Sequence, residues 1–190
     1  MCIRDRHWRQ DGLHHRHQHQ ALAAAGDVPH LPHGGLGRRQ TERVLAQARQ
    51  RLEQPTPRVA LGLALRGIAS SCLDVSDGLL GDLGHILDAS GVGACIDANI
   101  TRGLLHARRH PLMAALATTR IDACTLAGGD DYELCFTAPA SAQTAVREAA
   151  QQSATPVTCI GRIEAQRGVR VIAPGGQQLP LRFAAFDHFA

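Results

Sequence analysis

The chain has 190 residues, a formal net charge of +3, 44% hydrophobic residues and only 3% aromatic ones. That suffices for one good core built from Leu, Ala, Val and Ile, or for a domain plus an extension. So mild a charge gives no argument for a polyanionic partner, and no apolar run approaches the roughly 20 residues that cross a membrane, so neither nucleic acid nor a membrane is expected as a partner.

Residues 1–40 differ from everything after them. Histidines crowd together in His14-His15-Arg16-His17-Gln18-His19, Pro29, Pro32, Gly34, Gly35 and Gly37 follow, and no apolar period persists. Imidazoles bind zinc or nickel, but no ligand framework accompanies these. The segment reads as a disordered extension, or as non-native sequence of the kind that out-of-frame translation at the edge of a gene fragment produces. Reading the DNA upstream of Thr41 in the other two frames tests the second alternative, which fails if neither frame codes better. The six cysteines contain no C-x-x-C and read as small buried hydrophobes in a reducing compartment. With no apolar secretory leader in view, the expected location is cytoplasmic.

From Thr41 the pattern becomes orderly. Residues 41–53 read as a helix with Val44, Leu45, Ala48 and Leu52 on one side, and Pro55-Thr56-Pro57 then forces a turn. Residues 58–69 read as a second helix, apolar nearly all round and therefore expected to be buried. A strand follows and stops at Asp74-Val75-Ser76-Asp77-Gly78, where Leu79, Leu80, Leu83, Ile86 and Leu87 begin an amphipathic helix with Asp82, His85 and Asp88 off its apolar stripe. Alternation along a strand turns Val75 inward and gives Asp74 and Ser76 a common face.

This corner has two readings. A helix start offers unpaired N–H groups to phosphate, and two carboxylates suit a hard cation bridging to that phosphate. Alternatively, Ser76 or Asp77 merely caps the helix and Asp74 is a solvated strand end.

Ser90-Gly91 ends that helix, and residues 92–98 alternate as a strand. One or two helices lie between residues 101 and 119, with Arg108, Arg109 and His110 as a basic face that is either solvated or in contact with phosphate. Then comes Gly128-Gly129-Asp130-Asp131-Tyr132-Glu133-Leu134-Cys135-Phe136, a tight turn with two acids leading into a strand. Residues 141–152 read as a helix, 156–164 as a strand, and 169–173 with 177–181 as a hairpin around Pro174-Gly175-Gly176. Interleaved strands and helices point to an α/β or α+β mixed sheet flanked by helices.

Three motifs in one order resemble thiamine-monophosphate kinase: Arg51-Leu52-Glu53-Gln54-Pro55-Thr56-Pro57-Arg58, Leu73-Asp74-Val75-Ser76-Asp77-Gly78-Leu79 with Asp82-Leu83-Gly84-His85-Ile86, and the Gly-Gly-Asp-Asp-Tyr-Glu turn. The ending Phe186-Asp187-His188-Phe189 is similar to the close of that family's chain. The resemblance implies the C-terminal domain of the aminoimidazole-ribonucleotide synthetase-like fold. It also implies ATP-dependent phosphorylation of thiamine monophosphate to thiamine diphosphate, magnesium, and a cytoplasmic homodimer. Position by position, it makes Asp74 and Asp77 magnesium ligands, Ser76 an ATP contact, Asp130 a substrate contact and Phe186 the aromatic beside the thiamine moiety.

The family's N-terminal domain, which carries most acidic metal ligands and forms the dimer, is not recognisable in residues 1–40. Residues 41–190 are thus expected to be the substrate-side domain, inactive alone. The alternatives are another ATP-using member of the superfamily and a non-catalytic binding domain.

Overall fold

The computed structural model describes residues 19–24, 38–104 and 117–180. Phe186 and the closing motif, the Arg108-Arg109-His110 face and His14, His15 and His17 lie outside the described residues. The elements in order are β1 (His19–Ala24), α1 (Arg38–Glu53), α2 (Val59–Ala64), β2 (Ser71–Val75), α3 (Leu79–Ser90) and β3 (Gly93–Asp97). Then come α4 (Ala98–Leu104), α5 (Thr118–Ala127), β4 (Glu133–Pro139), α6 (Gln143–Gln152), β5 (Val157–Glu164) and β6 (Gly168–Ile172). The strands make one mixed sheet ordered β2-β4-β1-β5-β3-β6, in which β3 and β6 run parallel and the other pairs antiparallel.

Helices cover both faces. Val75, Leu79, Leu83, Leu87, Ile96 and Leu126 form one core, and Leu61, Leu65, Phe136, Val146 and Ala149 form the other. Cys135 belongs to the first and its neighbour Phe136 to the second, because successive side chains of a strand point to opposite faces. The α3 stripe is the anchor of the first core: Leu83 and Leu87 are essentially fully buried, each stabilising the fold by about 1.5–3 kcal/mol relative to exposure. Gly91 stops α3 in the left-handed region at φ 68°, its N–H donating to the Asp88 carbonyl while that of Val92 donates to Leu87.

Several expectations need correction. Residues 19–24 are not an unstructured extension but a strand between β4 and β5. The sequence there holds the short apolar run Ala21-Leu22-Ala23-Ala24, and two flanking strands supply backbone partners that local pattern reading does not see. The second helix is shorter than expected and buried on one face only, with Leu61 and Leu65 inside and Val59 and Leu63 about 60% exposed. A helix lying on a sheet has one contact face, whatever its composition.

Residue 98 begins α4 rather than ending β3, since Asp97 Oδ1 accepts the N–H groups of Asn99 and Ile100. Helix α5 runs on to Ala127, past the point where helix was expected to end. The second hairpin arm is reduced to a bridge between Ile172 and Gln178, flanked by bonds from the Leu179 N–H to the Val171 carbonyl and from the Ala173 N–H to the Gln177 carbonyl. Of the described cysteines, all free, Cys95 and Cys135 are buried as expected, but Cys72 and Cys124 are exposed.

Candidate functional site

Strand β2 delivers Val75 into the core at 4% exposure and leaves Asp74 exposed, as alternation requires. The chain then turns through Ser76-Asp77-Gly78 into α3. Gly78 sits at φ 107°, and a Cβ there would lie 2.9 Å from the Ala127 backbone, so neither the dihedral nor the space admits a side chain. Gly78 is also the residue at the helix cap, and no side chain caps α3. Capping therefore does not account for Ser76 and Asp77.

Asp82 lies one turn into α3 and is not on the solvent face. It is 5% exposed, and its Oδ2 accepts the N–H groups of Ser76 at 2.8 Å and Asp77 at 3.0 Å. Those two N–H groups, just ahead of the helix cap, are thus satisfied from inside the protein. The signal missed in the sequence was an acid in the first turn of a helix, five residues beyond an Asp-Gly corner.

The second motif docks directly on the first. Helix α5 ends at Ala127 and hands the chain to Gly128 and Gly129, where an added Cβ would meet Cys124 O at 2.4 Å and Ser76 O at 2.7 Å. The Asp130 N–H donates to Ser76 O at 2.9 Å, and the Tyr132 N–H donates to Val75 O at 2.8 Å. Asp130 and Tyr132 adopt left-handed backbone at φ 61° and 51°, a conformation that costs about 1–2 kcal/mol for a residue with a Cβ. These bonds hold the turn in that conformation.

Side-chain electrostatics tie the corner together. The Tyr132 hydroxyl donates to Asp130 Oδ1 at 3.3 Å. Its ionisation is pushed up first by the Asp130 charge, then by that bond and some desolvation, and further by the charges of Asp74 and Asp77. Three carboxylates from two motifs therefore act on one exposed ring. Partial burial, then the charges of Glu133 and Asp130, push the Asp131 carboxyl up to about 6, against the opposing influence of Arg51. Asp131 is exposed as a residue, so the neighbouring charges are the firmer cause.

The third motif secures the base of the turn. Arg58 grips Glu133 with two bonds of 2.8 Å, and Arg51 binds the same carboxylate and donates to the Asp131 carbonyl at 3.1 Å. Pro55-Thr56-Pro57 cannot continue α1, so the chain reverses and brings the second arginine back beside the first. Glu133, Arg51 and Arg58 were visible only as letters of a motif, without a role. The buried pair of Arg102 and Asp122, which belongs to none of the motifs, is joined at 2.5 and 2.8 Å and ties α4 to the helix that delivers the Gly-Gly turn.

The described residues thus bring Asp74, Ser76, Asp77 and Asp130 to one acidic corner. Among them, no group of three or more His, Cys, Asp or Glu side chains could hold a metal ion. Two carboxylates do fit the mode in which magnesium keeps its waters and is held by one or two acids plus substrate phosphates, rather than by an all-protein cage. No helix among the described residues is long and apolar enough to cross a membrane.

Residues 33–174 match the family model of the AIR synthase related protein, C-terminal domain. The chain belongs to this family. Among relatives of this AIR-synthase-related domain, the thiamine-monophosphate kinase of Salmonella typhimurium is 40% identical over 144 residues, covering 74% of this chain and 42% of that protein. The crystal structure of the thiamine-monophosphate kinase from Stenotrophomonas maltophilia is similar at 37% identity and a TM-score of 0.59, covering 80% of this chain and 49% of that one. AaThiL complexed with AMPPCP and TMP shares the fold at 23% identity and a TM-score of 0.53, covering 86% of this chain and 52% of that one. The domain spans about two fifths of the length of the curated relatives it matches.

Proposed function

We propose that this chain carries the substrate-side domain of a thiamine-monophosphate kinase, which transfers the γ-phosphoryl group of ATP to thiamine monophosphate. A phosphate oxygen of thiamine monophosphate forms a bond to the γ-phosphorus as the bond to the bridging oxygen of ATP breaks, giving thiamine diphosphate and ADP. Both reactants are anionic, so the protein's task is alignment and charge neutralisation. Asp74 and Asp77 would hold magnesium, which supplies positive charge between the phosphates. Ser76 contacts ATP, and Asp130 meets the substrate, where a carboxylate gains from a cationic ring. Phe186 is the proposed aromatic partner of that ring.

The observation that carries this reading is the docking of the Gly-Gly-Asp turn on the Asp-x-Ser-Asp-Gly corner through Ser76 O and Val75 O. Conformation, contact and charge there all join the two motifs on which the sequence resemblance rests. We further place the complete protein in the cytoplasm as a homodimer.

A carboxylate pair without partners across the cleft binds magnesium weakly, so this chain alone is expected to bind thiamine monophosphate without turning it over. Calorimetric titration with thiamine monophosphate, alongside an assay for thiamine diphosphate formed from ATP, tests both statements. Absence of affinity for any thiamine phosphate refutes the substrate assignment and favours an interaction domain. Turnover comparable to that of a full-length kinase refutes the dependence on a second domain.

A further inference from the structure

We infer that Asp82 is the positioning residue that holds the metal and substrate halves of the corner in register, a role that rests on the reading of the corner given above. Its carboxylate is buried, and a buried carboxylate is costly unless donors satisfy it. Here one oxygen takes the N–H groups of two consecutive residues, Ser76 and Asp77.

The peptide group between Ser76 and Asp77 is consequently clamped at both ends. Its N–H, on Asp77, donates to Asp82 Oδ2 at 3.0 Å, and its carbonyl, on Ser76, accepts the Asp130 N–H at 2.9 Å. One planar unit therefore links Asp82 to the Gly-Gly turn, and its orientation sets both the side chain of Asp77 and the backbone of Asp130. The Asp82 N–H is itself fixed to Gly78 O at 3.0 Å, which ties the clamp to the first turn of α3. Asp82 touches neither reactant in this account. It acts through Asp77 and Asp130.

The test uses the 190-residue chain and the variants Asp82→Ala and Asp82→Asn. Amide hydrogen exchange by NMR reads the clamp, and calorimetry reads affinity for thiamine monophosphate in the presence of magnesium. In Asp82→Ala the amides of Asp77 and Asp130 should exchange faster together, and affinity should fall by about ten- to hundredfold, the usual scale for losing a group that orients a ligating residue. The Asn side chain keeps an oxygen able to accept both N–H groups, so Asp82→Asn should restore protection and bring affinity within about threefold of the unmodified chain.

Unchanged protection of Asp130 in the Ala variant overturns the coupling. A loss in Asp82→Asn as large as in Asp82→Ala overturns the acceptor role in favour of charge. Should the Ala variant unfold, scalar couplings in the unmodified chain from the Ser76 and Asp77 amides to the Asp82 carboxyl carbon decide the matter, and their absence removes the clamp. Exchange and couplings need no ligand, so failure of the thiamine reading would show as absent binding with the clamp intact.

Discussion

One contact that a single methyl group would disturb is that between Gly129 and the corner. A Cβ on Gly129 would fall 2.7 Å from Ser76 O, whereas ordinary contact begins near 3.4 Å, so about 0.7 Å must be made up. The struck atom is a backbone oxygen already engaged by the Asp130 N–H at 2.9 Å, and separating the two by that amount stretches the bond to about 3.6 Å, beyond hydrogen-bonding range. Losing the bond costs about 1 kcal/mol net, and forcing the methyl into a packed contact adds about 1–3 kcal/mol. Gly129→Ala is therefore expected to destabilise the chain by about 2–4 kcal/mol. With a urea m-value of about 2 kcal/mol/M, the unfolding midpoint should fall by about 1–2 M.

Gly84→Ala is the control. It lies in α3 with nothing within 4 Å of the added Cβ, so it should stabilise by about 0.5–1 kcal/mol through helix propensity alone. Urea unfolding of both variants gives the comparison. If Gly129→Ala stays within about 0.5 kcal/mol of the unmodified chain, the steric argument for the docked turn is wrong.

Two further outcomes follow from buried and perturbed charge. Asp122→Ala leaves Arg102 buried without its partner and should cost about 3–5 kcal/mol, whereas Arg102→Met with Asp122→Leu should be close to neutral; denaturation of both separates a needed pair from a merely satisfied one. Asp131, raised from an ordinary 3.8 to about 6, binds its proton more tightly in the folded chain than in the unfolded one. Its contribution to stability is therefore greatest below about pH 4 and is lost as pH rises through about 6. Asp131→Asn should gain relative to the unmodified chain between pH 4.5 and pH 7, and an unchanged difference across that range refutes the shift.

Local pattern was enough for most elements. The Leu79 to Leu87 stripe, the Gly91 stop, the inward Val75 and the two glycines of the turn are consequences of side-chain period and backbone freedom, which neighbouring residues specify by themselves. What local pattern misjudged were faces and partners. Val59 and Leu63 were apolar but on the wrong side of a one-sided contact, and residues 19–24 became a strand because two distant strands offered hydrogen bonds.

The acidic corner divides along the same line. The sequence alone supplied Asp74, Ser76, Asp77 and Asp130, the strand-to-helix turn and the mixed α/β character, since each depends on residue type and short spacing. Only the tertiary structure decided that the corner and the Gly-Gly turn share the Ser76 carbonyl. It also decided that Arg51 and Arg58 close on Glu133, and that Asp82 faces inward to take two backbone amides. Asp130 and Ser76 are 54 positions apart in the sequence. Their contact is set by which strand pairs with which, and strand pairing is a property of the assembled sheet rather than of either segment.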